Sequence, residues 1–492
     1  MYDIIFILFL SQFIINATNS IIAPFFPQYA FQWGLSQFSI SLIFSIHPVG
    51  NLICYFLLGK QICDEKYQKI SQMAGIFLNI IGIFSFAILS LFQDKAYIFS
   101  ISLLAKFILG IVKNIYIFKK INIFNKKKLQ AQTLFNFPFY SYIPILYQTE
   151  YKQKFLHLEL FSGMGFLFGP FLSGFLIQAF GWVIPFIIFG IICILLLFTF
   201  QKQIPDRMIL KIKQNEKIKN QNEINSQYLF YDKIQDNYQI YKLKYSNKNL
   251  ITVYILMIIP CCGIMSLEAT FSLYIQQKYQ TNYFFMGIIF SFGMILYIVF
   301  VPLIKIIYNY SYLVIFIGIF VTGICFCLIG PYYFLFQNIQ LNYICASYIF
   351  LSFSILMIYF PSLLLITNII NITNINNKQF FILFQKSYNY YNTLYCSGQF
   401  IGPLLGGFMT EFLSFETCNS IFGITVLFWG IIFYFQKNQY QFDCQYYCVY
   451  IQGVKDLIIT PNIQNQQKNY KKKLVLICYL QKKILTINEN QK

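Results

Sequence analysis

Long apolar runs, separated by short polar segments, repeat along almost the whole chain. Each run has about 20 residues, and a helix of that length crosses the roughly 30 Å hydrocarbon core of a bilayer. Lipid offers no partner for a bare backbone N–H or C=O, so each run is expected to form a helix. The twelve predicted spans cover residues 4–27, 38–59, 70–92, 97–112 continuing at 134–148, 155–178, 180–200, 250–275, 283–307, 311–336, 342–369, 390–411 and 415–435.

A polar stretch at 201–249 separates the first six spans from the last six. The pattern therefore predicts an all-α membrane protein, with an N-terminal six-helix bundle at 1–200 and a C-terminal six-helix bundle at 250–435. Residues 201–249 are expected to form the loop between the bundles, and residues 436–492 a polar tail.

Two short stretches share one pattern and indicate that the two halves are related. Residues 165–174 (GFLFGPFLSG) and 398–407 (GQFIGPLLGG) share Gly-x-x-x-Gly-Pro at an offset of 233, and the triplet IFS at 43–45 recurs at 289–291. Small residues let helices approach closely and proline bends a helix, so the pattern predicts a pseudo-symmetric transporter. The residues expected to bend or gate the helices are Gly165, Gly169, Pro170, Gly174, Gly398, Gly402, Pro403 and Gly407.

The composition supports a membrane location and gives an orientation. The chain is 58% hydrophobic and 11% charged, which is not typical of a soluble domain. Its net charge of +19 comes mostly from lysines in loops and tails, so we expect contact with anionic lipid rather than with nucleic acid. Eighteen Lys and Arg lie in loops on one side of the predicted spans and two on the other, which predicts cytoplasmic termini and a cytoplasmic central loop.

Span 4 is interrupted by residues 112–130, which contain six lysines. A charge held at mid-bilayer costs roughly 2.5–3.5 kcal/mol on insertion scales, so this segment does not fit inside the hydrocarbon. One hypothesis is a translated intron or other insertion, because deleting it joins two halves of a plausible span. The alternative is a real loop that splits the helix, and sequencing the cDNA across the junction decides between them.

Few residues inside the spans can carry chemistry. Of the 17 acids, Glu159 and Glu268 lie well inside predicted spans, and Lys106 lies inside span 4. Ionisable groups at such depth usually face a cavity, so we expect these three in the pathway of substrate or protons. The alternatives are a hydrogen bond to a neighbouring helix for each Glu, and snorkelling for the lysine. No phosphate loop, nucleophile elbow or metal-binding helix motif occurs, so we predict no enzyme activity, no cofactor and no metal.

The chain resembles the major facilitator superfamily over nearly residues 1–435. The helix 5 stretch at 159–174 is similar to the antiporter motif of that family, and KFILG at 106–110 to its Arg-x-x-x-Gly element, with Lys106 in place of Arg. Residues 23–30, 263–275 and 398–407 resemble the vesicular amine and polyamine carriers of solute carrier family 18. In that group the Leu-Glu pair of helix 7, here ending at Glu268, lies in the substrate pathway.

This resemblance implies a twelve-helix carrier that works by alternating access, most simply as a proton-coupled antiporter of a small organic cation. Where the amine carriers have acids, the helix 1 position reads Ile15 beside Asn16 and the helix 11 position reads Asn392, so the two asparagines are further pathway candidates. The alternatives are a proton-coupled symporter of a neutral nutrient, and a transport-inactive sensor or defective gene product. A monomer is expected, in a vesicle, vacuole or plasma membrane.

Overall fold

A computed structural model of the protein describes residues 2–58, 68–110, 151–204, 248–300, 302, 311–331, 340–370 and 377–435. The segment 112–130, the continuation of span 4 at 134–148, most of the central loop and the tail lie outside the described residues. Every regular element in the described ranges is helical.

Six spans come from the first half of the chain. The first span consists of two helices, because Ile21 interrupts the regular helix and Pro24 has no N–H to donate in the turn that follows. The elements of this half are α1 (Tyr2–Ser20), α2 (Ile22–Gln32), α3 (Gln37–Leu58), α4 (Gln68–Ile88) with a 3₁₀ turn at Leu89–Leu91, α5 (Lys95–Gly110), α6 (Tyr151–Phe180) and α7 (Val183–Gln203).

The second half supplies six more helices. Several extend beyond the predicted apolar runs, since hydrophobicity marks the part inside the bilayer and not the point where a helix ends in water. The longest, α12, has 36 residues and begins 13 residues before the predicted span. The elements are α8 (Lys248–Tyr279), α9 (Tyr283–Phe300), α10 (Ser311–Ile329), α11 (Leu341–Ile370), α12 (Asn377–Phe412) and α13 (Phe415–Phe435).

Nine stretches within the described residues are long and apolar enough to cross a membrane. They belong to spans 1, 3, 5 to 10 and 12 of the predicted series, with α1 and α2 counted together. Among the other three, α5 has only 16 residues, because the remainder of span 4 lies beyond Gly110. The order of the spans along the chain is the predicted one.

The packing of the helices repeats between the halves. In the first half α6 packs on α1, α7 on α4, and α5 on α3. The corresponding pairs of the second half, α12 on α8, α13 on α10 and α11 on α9, make the same contacts. Between the halves, α6 packs on α9 and α3 packs on α12, which are again equivalent pairs. The fold is therefore two pseudo-symmetric bundles, as the duplicated glycine-proline pattern predicts.

Even a single turn is repeated. Gly34 ends α2 with φ of +83°, and Gln280 ends α8 with φ of +53°, 246 residues later. This is the offset of the repeated IFS triplet. The left-handed region suits glycine and is costly for other residues. The second half thus keeps the turn geometry without the glycine.

We expect Gln280→Gly to stabilise the protein and Gly34→Ala to destabilise it, each by about 1 kcal/mol. A Cβ added at Gly34 would meet nothing within 4 Å, so the cost of that alanine is purely conformational. Thermal unfolding of the purified protein in detergent measures both changes. Equal unfolding temperatures for wild type and both variants would contradict the assigned backbone conformation.

Candidate substrate and proton site

The glycines of the two repeated frames hold each bent helix against its own bundle. An added Cβ at Gly165 of α6 would lie 3.0 Å from the amide nitrogen of Ala17 in α1. In the second half, a Cβ at Gly402 of α12 would lie 2.8 Å from the Cα of Cys262 in α8. Gly169 lies against the backbone of Ala17, and Gly398 lies against the side chain of Cys261. Only glycine permits such backbone approach.

The last glycine of each frame touches the opposite half instead. Beside Gly174 of α6, an added Cβ would lie 3.1 Å from the Cα of Gly287 in α9. Beside Gly407 of α12, the nearest atoms belong to Ser41 of α3. Each bent helix therefore joins its own bundle at one level and the partner bundle at another. Pro170 and Pro403 lie between these levels and are both buried.

A lysine lies in the interior where α3 and α5 meet. Lys106 is 8% exposed, and its Nζ lies 4.5 Å from the centre of the Phe44 ring. One turn further along α5, Gly110 lies against the backbone of His47 and of Gly50. A cation over an aromatic face is attracted by the ring quadrupole, which offsets part of its desolvation. This packing holds the ammonium group inside the bundle.

Glu268 faces this lysine from the other half of the molecule. It lies on α8, deep among the helices, yet its side chain retains partial accessibility, so it borders an interior space. Glu268 and Lys106 are close enough to interact electrostatically. Within the described residues, however, no carboxylate oxygen lies within the 4.0 Å of an ion pair with Lys106. The structure thus brings two of the predicted site residues together without direct contact.

An aromatic wall that sequence reasoning does not identify lies beside Glu268. The ring of Tyr348 on α11 stacks on Phe271 at 4.5 Å between centroids and lies 5.1 Å from Phe290. Tyr348 is also within electrostatic range of Glu268. With 39 Tyr and 58 Phe in the chain, no sequence signal distinguishes these three from aromatic residues that face lipid.

The other predicted pathway residues lie in different surroundings. Asn16 is 3% exposed and donates a 2.7 Å hydrogen bond to the Ser162 hydroxyl, which joins α1 to α6. Glu159 accepts a 2.8 Å hydrogen bond from the hydroxyl of Tyr297, which joins α6 to α9. The side chain of Asn392 lies outside the described residues. A role for these three in transport remains a prediction.

One end of the molecule is tied together by hydrogen bonds between the halves. We call it the short-loop end, after the connections at 33–36, 181–182, 280–282 and 413–414. Gln28 and Gln37 donate to the carbonyl oxygens of Ser272 and Ala269 at 3.2 and 2.9 Å. Glu411 of α12 accepts a 2.7 Å hydrogen bond from the backbone N–H at position 38, in the first turn of α3. The second half thus caps a helix of the first.

We expect Glu411→Ala to favour opening at the short-loop end. Loss of a capping hydrogen bond costs about 1 kcal/mol, which corresponds to roughly a fivefold change in population. A spin-labelled noncanonical amino acid is introduced at Ser36 and at Leu413. The distance between the two labels, measured by electron paramagnetic resonance, reports the opening.

The matched control for this experiment is Asp94→Ala. Asp94 caps α5 by accepting a 2.9 Å hydrogen bond from Ala96 N–H, within one bundle. The Asp94→Ala substitution should leave the distance distribution unchanged. Equal shifts in both variants would contradict the interpretation that Glu411 holds the short-loop end closed.

Comparison with known proteins agrees with this architecture. The family model of the Major Facilitator Superfamily matches residues 148–371. The rat MFS-type transporter SLC18B1 (Rattus norvegicus) is 24% identical over 420 residues, covering 84% of this chain and 82% of that protein. The human SLC18B1 protein (Homo sapiens) is 24% identical over 419 residues, covering 84% and 81%.

Two solved structures share the fold at low sequence identity. The peptide transporter POT in complex with sulfate has a TM-score of 0.62 at 13% identity, covering 89% of this chain and 94% of that one. The nucleoside transporter NupG has a TM-score of 0.57 at 13% identity, covering 87% and 98%.

Proposed function

Because the chain is a transporter of the major facilitator superfamily, distantly homologous to SLC18B1, we propose that it exchanges protons for a small organic cation. The observation that carries this proposal is the separation of Glu268 from Lys106. Among the described residues Glu268 has no direct ion partner, and an interior carboxylate in such a position can take either a cation or a proton. Since one carboxylate cannot hold both at once, binding of the cation releases the proton.

Lys106 keeps the site from binding cations too tightly. Its charge competes with the substrate for Glu268 and stays in place when the substrate leaves. Because the lysine belongs to the first half and the glutamate to the second, their separation can change as the halves move. The aromatic wall of Phe271 and Tyr348 supplies faces on which an ammonium group can rest.

Alternating access requires the two halves to move about this site. Opening the short-loop end breaks the hydrogen bonds of Gln28, Gln37 and Glu411, while the glycine contacts of each frame with its own bundle can stay intact. The bent helices α6 and α12 then roll against α9 and α3. The charge of the loops supports an orientation with both termini and the central loop in the cytoplasm.

A proton-coupled symporter of a neutral nutrient is the second candidate. The observation that favours it is Asn16, a neutral residue beside the position where the amine carriers place an acid, whose side chain already donates a hydrogen bond to Ser162. In that case Glu268 binds the proton alone and the substrate makes only hydrogen bonds.

The test is uptake by the purified protein in proteoliposomes with an imposed pH gradient. Labelled spermidine and serotonin represent organic cations, and labelled uridine and a dipeptide represent neutral solutes. We expect accumulation of a cation when the lumen is acidic, abolished by a protonophore. Uptake of a neutral solute down the proton gradient would support the symporter, and no uptake of any solute would support an inactive relative.

A further inference from the structure

Gln28 crosses the boundary between the two halves next to the proposed site. It lies on α2, which packs against α8 of the second half, and its side chain is fully buried. Its Nε2 donates a 3.2 Å hydrogen bond to the carbonyl oxygen of Ser272. Because that oxygen can only accept, the amide nitrogen of Gln28 must face it and the amide oxygen points away. This contact therefore fixes both ends of the amide group.

Two polar atoms at this crossing are left unpaired. Within the part of the chain that the structure describes, neither Oε1 of Gln28 nor the hydroxyl oxygen of Ser272 has a hydrogen-bond partner, although both residues are 0% exposed. Burying an unpaired polar group costs at least as much free energy as a typical hydrogen bond contributes. Closure of the short-loop end thus forms one hydrogen bond at this crossing and leaves two oxygen atoms without one.

The unpaired atoms lie on the route from the short-loop end to Glu268. Ser272 follows Glu268 by one turn on α8, on the same face and about 6 Å nearer to the short-loop end. There α8 ends at Tyr279. Opening this end breaks the hydrogen bonds of Gln28 and Gln37 to α8 and separates α2 and α3 from it. The Gln28 amide and the Ser272 hydroxyl then face the space through which a substrate reaches Glu268.

We propose that Gln28 and Ser272 form a hydrogen-bonding subsite for the N–H groups of the substrate, covered when the short-loop end is closed and available when it is open. This inference rests on the proposed function and deepens it. Both oxygen atoms accept hydrogen bonds from an amine, whereas a quaternary ammonium group has no N–H to donate. The aromatic wall of Phe271 and Tyr348 attracts both kinds of cation, so it does not supply this distinction. The subsite selects amines over quaternary ammonium compounds of the same charge.

Removing the unpaired hydroxyl tests the subsite without any substrate. In Ser272→Ala we expect the closed-to-open ratio of the short-loop end to rise about fivefold or more, because closure no longer buries an unpaired group. The distance between spin labels at Ser36 and Leu413 measures this ratio in the full-length protein. The Glu411→Ala background, in which the open population is larger, makes the rise measurable.

The matched control for the hydroxyl is Thr270→Val on the same helix. The Thr270 hydroxyl is buried as well, but it donates a 2.9 Å hydrogen bond to the carbonyl oxygen of Ser266 within α8. This hydroxyl is paired whether the short-loop end is closed or open, so its loss should leave the closed-to-open ratio unchanged. An unchanged ratio in Ser272→Ala would overturn the proposal.

Competition experiments test the selection of amines. Serotonin and spermidine each compete with their quaternary N-methylated analogue for uptake of the labelled amine into proteoliposomes. We expect the wild type to prefer the amine by about tenfold or more, and Gln28→Leu and Ser272→Ala each to reduce this preference about fivefold or more. The matched control is Gln37→Leu, which breaks the neighbouring hydrogen bond between the halves without removing a buried unpaired oxygen. It should keep the preference of the wild type.

The outcomes separate the subsite from the proposed function. Intact uptake with the same preference in the wild type, Gln28→Leu and Ser272→Ala would refute the subsite alone. If the wild type takes up neither amine, the proposed function fails, and the subsite fails with it as a site for this class of substrate.

Discussion

Proton-driven cation uptake is expected to fall at least 30-fold in Glu268→Gln. Removing one partner of a buried charge interaction costs about 2 kcal/mol or more, and that corresponds to at least this factor in affinity. The amide keeps the size of the side chain and cannot exchange a proton. Cation–cation exchange should fall as well, because the same oxygen atoms bind the substrate. Uptake of labelled cation into proteoliposomes measures both.

The matched control is Glu416→Gln. Glu416 lies in the first turn of α13, 3.1 Å from Lys278, and accepts a 2.9 Å hydrogen bond from Tyr274. This ion pair is partly exposed, so its loss should cost at most about 1 kcal/mol and leave transport unchanged. Loss of proton coupling with intact exchange in Glu268→Gln would assign Glu268 to protons alone and would contradict its contact with substrate.

The second large effect is expected for Gly402→Leu. A Cβ at this position would lie 2.8 Å from the Cα and 2.9 Å from the carbonyl carbon of Cys262. These are backbone atoms of α8, so relief requires the two helices to separate, and overpacking costs about 1–3 kcal/mol even where side chains can adjust. We expect loss of a monodisperse folded carrier, or unfolding at a clearly lower temperature.

Leu405→Phe is the control for added volume on the same helix. Leu405 is 45% exposed on the outer surface of α12. A larger apolar side chain at this position would still face lipid and would not press on a neighbouring helix. Its unfolding temperature should match that of the wild type. Gly169→Leu should reproduce the Gly402→Leu defect in the first bundle, because Gly169 lies against Ala17. A stable Gly402→Leu protein would show that the α8–α12 contact is looser than described.

The spans and the two-bundle organisation could be predicted because the bilayer imposes a length on every helix. The duplicated frames were equally predictable. A close helix contact requires glycine, and the glycines at Gly169 and Gly402 are visible in the sequence. Helix ends were predicted less well: α12 extends to Asn377 through polar residues, where hydrophobicity carries no information.

Part of the candidate site could be selected from the sequence, while the role of these residues in transport stays a prediction. Glu268 and Lys106 are visible because charge inside a span is unusual, and the structure brings them together. The rarity of charge inside a span does not reveal that Glu159 contacts Tyr297 or that Asn16 contacts Ser162. A span that is apolar on every side does not indicate which of its faces borders a cavity. Tyr348 was not selected for the same reason, because its surroundings depend on which helices meet.

The most direct test of the account is the movement of protons when only a cation gradient is imposed. Proteoliposomes are loaded with the cation that the uptake assay identifies and a pH-sensitive dye, and then diluted into cation-free buffer at equal pH. The account predicts that the lumen becomes acidic as the cation leaves, and that Glu268→Gln abolishes this change. A lumen that becomes alkaline during efflux would mean that proton and substrate move together. A constant pH despite efflux would mean that transport is not coupled to protons, and either result would contradict the exchange mechanism.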